Sequence, residues 1–350
     1  MNIRAKDIAQ KLGISSSAVS LALNGKPGVS EKTRKLVLAE AYGSNNPKMQ
    51  YLAESQITSN VRFVVFLDDS GTVANETSFH TSILQGIEIK AKEYGYNILV
   101  SFFHTSADWA SQIEAMSKDV SGIILLATDL KEEHIQLALK NKITSLQIPL
   151  VLVDNANLDT NLDCIYSNSF RGAKTAVTYL LEKGHTDVGY LRSSSRIGNF
   201  TDRENGFIRA RKEFGLTDSA RDHMIDLPIS SEKAYLSICS WLEEGNKPAS
   251  AYFAENDIIA AASIKAFKQF GYRIPEDISI IGFDDIPLSS LMDPPLTTVG
   301  VMMDAMGGHA MRRLHFRITE GNFRLCDERI GAIHIMIQPH LVIRESVSQK

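Results

Sequence analysis

Between Ala5 and Asn24 (AKDIAQKLGISSSAVSLALN) the apolar positions fall at helical spacing in two short blocks separated by a glycine. Ile8 and Leu12 mark one face of a first helix, and Ala18, Val19, Ala22 and Leu23 mark the side of a second that would pack on it. Ala9 is small where two helices must touch. Gly13 stands where the chain must turn sharply, a conformation that costs glycine least, and Ser15 is placed to cap the second helix. The spacing is that of a helix-turn-helix; an ordinary helical hairpin is the alternative. A third helix is predicted over Ser30 to Tyr42 (SEKTRKLVLAEAY), ended by Gly43. The stretch SNNPKMQYLAESQITSN that follows is polar and turn-rich and reads as a linker, with one short helix predicted from Pro47 to Ser55.

Past the linker the period changes. Short β-rich apolar runs at 62–68, 96–102, 121–127 and 149–154 are separated by helical patterns at 82–94, 108–118 and 131–141. The alternation restarts after Asp163, with helices predicted at 169–183, 202–214, 231–243 and 257–270 and strands at 187–191, 250–254 and 278–283. Strands alternating with helices predict parallel sheets covered on both faces. Two such lobes meet at a cleft along their strand ends, where open α/β sheets take their ligands.

Charge separates the two parts. Residues 1–50 hold eight Lys and Arg against three acids, a balance of +5, whereas the whole chain is −4, so residues 51–350 carry −9. A basic head on an acidic body points to a polyanion met by the head alone. The second helix leaves Ser16, Ser17 and Ser20 facing outward, and short hydroxyl side chains at a helix start can approach phosphates and base edges in a major groove. At 350 residues with 44% hydrophobic content the chain can bury a large core. The opening MNIRAKDIAQ has no apolar run after its first charges, which is not a secretory signal, and no stretch of eighteen apolar residues suggests a membrane span. Cys164, Cys239 and Cys326 are widely spaced and odd in number, the usage of reduced thiols and not of a disulfide framework or metal site.

Catalytic motifs are missing from the sequence: no GxxxxGK[ST], GxSxG, HExxH or CxxC occurs, and the histidines show no metal-ligand spacing. Acid pairs such as Asp284 and Asp285 are neighbours in sequence, and neighbouring side chains point apart. No enzyme activity, cofactor or metal is expected.

The head (KDIAQKLGISSSAVSLALNGKPGVSEKTRKLV), HTSILQGIEIKAKEYGYNILV, DRENGF, AENDIIAAASIKAF, RIPEDISIIGFDD and PPLTTVGVMMDAMG together resemble the lactose-repressor (LacI/GalR) type of bacterial transcription regulators, in the family's order and over nearly the whole chain. The resemblance implies an α/β chain with a small all-α helix-turn-helix head and a two-lobed core like the periplasmic sugar-binding proteins, each lobe a parallel sheet flanked by helices. The expected division is a head at 1–45, a linker or hinge at 46–61 and a core at 62–350. Lobe one is expected at about 62–162 and 292–322 and lobe two at about 163–291 and 323–345, the chain crossing back near Pro294 and Pro295. The implied molecule is a cytoplasmic homodimer, a repressor reading double-stranded operator DNA under control of a small polar effector, with no membrane association. A metabolite-binding enzyme or kinase with a regulatory DNA-binding head is the alternative.

Candidate DNA contacts are Lys6, Ser15, Ser16, Ser17, Ser20, Asn24 and Lys26. The family's linker carries an Ala-Arg-x-Leu hinge helix whose leucine wedges into the minor groove; here PKMQYLAESQ has no arginine, and either Leu52 or Met49 is the wedge or Leu52 packs on the core. In the cleft, Arg203 matches an arginine that grips effector hydroxyls or a carboxylate. Asn256 and Asp284 match groups that end strands on the second lobe, with Asp154, Phe79 and His80 facing them. Each has a structural alternative: Asp284 in a turn with Asp285, Asn256 as a helix cap, Arg203 in an ion pair. Ile229 stands where relatives tend to offer an aromatic platform, leaving Phe79 to supply a ring face. Arg192 and Arg196 either add positive charge near the cleft or lie on the surface.

Overall fold

The structure, a computed structural model, describes residues 5–23, 29, 31–42, 60–67, 79–140, 146, 148–155, 161–216, 219–319 and 331–350. The head is three helices, α1 (Ala5–Leu12), α2 (Ser16–Leu23) and α3 (Glu31–Tyr42). The turn and the cap form as the sequence requires: Gly13 takes a φ of 67°, and the Ser15 hydroxyl accepts the Ala18 amide at 3.1 Å. Ile8, Ala9, Val19, Ala22 and Val37 close a small core between the helices.

Lobe one is laid down as β1 (Asn60–Leu67), α4 (Phe79–Tyr94), β2 (Asn97–His104), α5 (Trp109–Ser117), β3 (Ile123–Leu126), α6 (Glu132–Lys140), β4 (Leu150–Val153) and β5 (Asp163–Ser167). The chain then builds lobe two as α7 (Ser169–Glu182), β6 (Val188–Ser193), α8 (Gly198–Glu213), β7 (Met224–Leu227), α9 (Ser231–Glu243), β8 (Ala251–Ala254), α10 (Asp257–Gln269), β9 (Ser279–Asp284), α11 (Pro287–Leu291) and β10 (Thr297–Gly300). It returns to lobe one for α12 (Met303–Thr319) and β11 (His334–Ile337), and crosses once more for β12 (His340–Val342).

Two six-stranded sheets result, in the orders β11-β5-β4-β3-β1-β2 and β12-β10-β9-β8-β6-β7. Every pairing in the first is parallel. In the second, β12 alone runs antiparallel, on the edge beside β10, where a reversed strand is best tolerated. The central strands β3, β4 and β8 are buried throughout, as strands covered on both faces must be.

The exchange points differ from those expected. Residues 163–167 belong to lobe one, because Asp163 pairs with Val151 and Cys164 with Leu152. The chain does not cross back at Pro294 and Pro295: Thr297 to Gly300 continue lobe two beside Ile281 to Asp284, and the crossing falls at Val301 and Met302. Residues 334–337 are also lobe one, paired with Cys164 to Ser167. An ion-paired carboxylate secures this exchange. Asp163 at the start of β5 accepts Arg313 at 2.6 Å and Arg317 at 2.7 Å, both on α12, together with the Ile333 amide at 2.8 Å just ahead of β11. Helices α4 and α12 approach so closely that a Cβ on Gly307 would lie 2.0 Å from the Ile83 carbonyl oxygen.

Candidate functional site

On the head, Ser16, Ser17 and Ser20 of α2 are exposed, as is Lys6 of α1. Ser15 serves the helix itself, since its hydroxyl caps α2 and lies 2.8 Å from the Ser17 hydroxyl. Asn24, Lys26, Met49 and Leu52 lie outside the described residues, and so does most of the 46–61 linker.

The C-terminal strand ends of the two sheets converge on a second site. Asp154 follows β4 and Asp284 ends β9, and both take left-handed backbone conformations, with φ of 73° and 109°. Such angles in aspartate are sparse and cost of order 1–3 kcal/mol, so they are held by their surroundings and cluster at functional positions. The Asp154 carboxylate accepts the Thr128 hydroxyl at 2.7 Å. Its carbonyl accepts the Asn199 side-chain amide of α8 at 2.6 Å, a bond from one lobe to the other. Burial pushes the Asp154 carboxyl up to about 7, against the pull of Thr128 and the Arg203 charge and with the Asp284 charge adding to the rise.

One turn beyond Asn199, Arg203 is buried and donates to Asp284 Oδ1 at 3.0 Å and to the Glu255 carbonyl. Its guanidinium lies over the Phe283 ring, 3.7 Å from the centroid, and its Nε has no hydrogen-bond partner among the described residues. Burial raises the Asp284 carboxyl above its ordinary range while Arg203 opposes the rise. Arg203 therefore makes an ion pair, as its structural alternative held, but a buried one inside the cleft.

The other cleft candidates are placed less directly. The Asn256 side chain caps α10 by accepting the Ile259 amide at 2.8 Å. Phe79 is buried in the core cluster, and His80 meets Phe102 edge-on at 6.2 Å. Ile229 is half-buried against Ile197 and Phe200. Arg192 and Arg196 are neither surface charges nor unpaired ones. Arg196 bonds both oxygens of the buried Glu255 at 2.8 and 2.9 Å and Glu204 at 2.9 Å, and Arg192 bonds Glu204 at 3.0 Å and Asp226 at 2.8 Å.

Four residues at this site carry no signal in the linear pattern: Thr128, Asn199, Phe200 and Glu255. Two of them sit on the start of α8, which begins at Gly198, four residues before the predicted helix. Among the described residues, no group of His, Cys, Asp and Glu could hold a metal ion, and no helix is long and apolar enough to cross a membrane.

Two family descriptions match this geometry. Residues 5–41 match the bacterial regulatory proteins of the lacI family, and residues 177–347 match a periplasmic binding protein-like domain. The HTH-type transcriptional repressor PurR of Aliivibrio salmonicida is 30% identical over 346 residues, covering 98% of each chain. The chain belongs to the lacI family of bacterial regulatory proteins. It is a DNA-binding transcription regulator. Solved structures agree at the level of fold. The regulator CelR in complex with cellobiose superposes with a TM-score of 0.70 at 20% identity, covering 98% of this chain and 99% of that one. The lac repressor dimer bound to operator and the anti-inducer ONPF gives 0.69 at 22% identity, covering 99% and 100%.

Proposed function

We propose that this regulator is a cytoplasmic, homodimeric repressor whose operator affinity is set by a small polar effector held between the core lobes. Residues 1–45 are the operator-reading unit and 46–61 the connection to the core; Ser16, Ser17 and Ser20 face the groove, and Lys6 meets phosphates. The observation that carries the effector reading is the convergence of Asp154 from lobe one with Asn199, Arg203 and Asp284 from lobe two in one buried cluster. A ligand bonding groups from both lobes stabilises the closed arrangement over the open one, and a ligand shifts an equilibrium by its differential affinity for the two states.

The same cluster argues for the ligand's class. Arg203, Arg196 and Arg192 are already paired with carboxylates, whereas the Asp154 and Asp284 carboxyl groups bring acceptor oxygens to the cluster. The site calls for hydrogen-bond donors, such as the hydroxyls of a neutral sugar or the N–H groups of a nucleobase, and not for phosphate.

A thermal-shift screen of ribose, glucose, cellobiose, sugar phosphates, hypoxanthine and nucleosides tests this, because a ligand that binds only the native state raises apparent stability. A neutral polyhydroxyl or nucleobase compound is expected to raise the melting temperature of the full chain and to change its operator affinity. A response to sugar phosphates alone would contradict the assignment.

A further inference from the structure

The Asp284 side chain sits at the tip of a bend that its own backbone does not favour. Asp284 and Asp285 take φ of 109° and 55° in succession, and two consecutive left-handed aspartates persist only where the surroundings over-determine them. Two charged residues, far apart in sequence, grip this bend from different elements.

Beneath it lies Asp257, fully buried in the first turn of α10. Its Oδ2 accepts the Ile286 amide at 3.0 Å and the Ser289 hydroxyl at 2.6 Å, and its Oδ1 accepts the Thr298 hydroxyl of β10 at 2.5 Å. Strand β9 makes room for this carboxylate: a Cβ at Gly282 would fall 2.1 Å from Asp257 Oδ1. From the segment after β12, Arg344 donates to Asp285 Oδ1 at 2.7 Å. Arg344 is itself fixed, by the Leu296 carbonyl at 2.8 Å and by its own amide on the Thr297 hydroxyl at 2.9 Å. Asp257, Thr298 and Arg344 thus tie the bend to β10, the strand that leads into the crossing to lobe one.

We propose that Asp257 and Arg344 are positioning residues for the effector cleft: gripping the 284–286 bend from two sides, they hold the Asp284 carboxyl against Arg203. The proposal rests on the reading of Asp284 as an effector contact, but the grip itself is measurable without any ligand. Neither residue reaches the effector; both act through Asp284.

The test uses the full chain with Asp257→Asn, Arg344→Gln and the conservative Arg344→Lys, and Gly282→Ala as a second route to displacing the Asp257 carboxylate. The first readout is amide hydrogen exchange without ligand. The Ile286 and Ser289 amides are expected to exchange about tenfold faster or more in Asp257→Asn and Gly282→Ala, with strand 251–254 still protected. Unchanged exchange over 284–289 in both overturns the grip.

The second readout is affinity for whichever of ribose, glucose, cellobiose or hypoxanthine raises the wild-type melting temperature most. Asp257→Asn and Arg344→Gln are expected to bind it about ten- to a hundredfold more weakly. Arg344→Lys should recover most of the loss, and operator affinity without ligand should be unchanged. Equal loss in Arg344→Lys and Arg344→Gln would reduce Arg344 to a packing role and overturn its part. If Asp284→Ala itself leaves affinity untouched, the effector reading fails while the exchange result still decides the grip.

Discussion

Buried carboxylates in this chain are used in two opposite ways. Asp163 has two arginines and a backbone amide around it, and these hold its carboxyl below the ordinary range even though burial pushes the other way. Its stabilising contribution is present above the unfolded value and is lost as pH falls through the folded one. Arg317→Ala removes one of the two arginines and leaves Asp163 with Arg313 and the Ile333 amide, so it is expected to cost about 1.5–3 kcal/mol in urea unfolding at pH 7. Asp154 is the converse. With its folded value at about 7, it stabilises the fold fully only below the unfolded value near 4, and that contribution disappears as pH rises toward and through 7. Asp154→Asn is therefore expected to stabilise the protein at pH 8 by about 1–4 kcal/mol while weakening effector binding. A variant less stable than wild type at pH 8 would show that the carboxylate serves the fold and not the site. The strand-end positions of Asp154 and Asp284 are legible from the apolar runs that precede them, and Arg203 is singled out through the family resemblance of DRENGF. Asn199 and Glu255 are not, because their partners lie 45 and 59 positions away in the chain, and only the strand order brings them together.

At the scale of elements, periodicity finds what is long or wholly apolar and misses what is short and mixed. The head helices, β1, β3, β4 and β8 follow directly from their apolar spacing. Strands β5 (DCIYS), β7 (MIDL) and β10 (TTVG) are four or five residues long and carry polar groups, so nothing local marks them, and the lobe boundaries drawn without them fall in the wrong places. Helix α12 is hidden by its glycines, Gly307 and Gly308, which lower helix propensity. Those glycines are the reason α12 can lie against α4. Gly307→Ala would put a methyl into the Ile83 carbonyl, where backbone and not a flexible side chain must give way. It is expected to cost about 1–3 kcal/mol or more, measured by denaturant unfolding. An unchanged midpoint would mean that the α4–α12 approach is looser than described.

For the molecule as a whole, the charge division along the chain already separates the polyanion-binding part from the rest, and the alternation of strands and helices already gives two lobes with a cleft. What it cannot give is the threading. Three crossings join the lobes, at Asn168, at Val301 and Met302, and at Gln338 and Pro339, so any closing of the proposed effector cleft would have to bend three connecting segments at once. Effector control then requires that closure and operator binding be coupled, and such coupling is a free energy shared by the two sites. The direct measurement is operator affinity of the full chain by fluorescence anisotropy, with and without the compound that most raises its melting temperature, beside the same pair of measurements on Arg203→Ala. In wild type the compound is expected to change operator affinity about tenfold or more. In Arg203→Ala the ligand-free affinity should match wild type and the response to the same concentration should be lost. An operator affinity in wild type that ignores the compound, or an Arg203→Ala variant that responds as wild type does, would contradict control through the cleft.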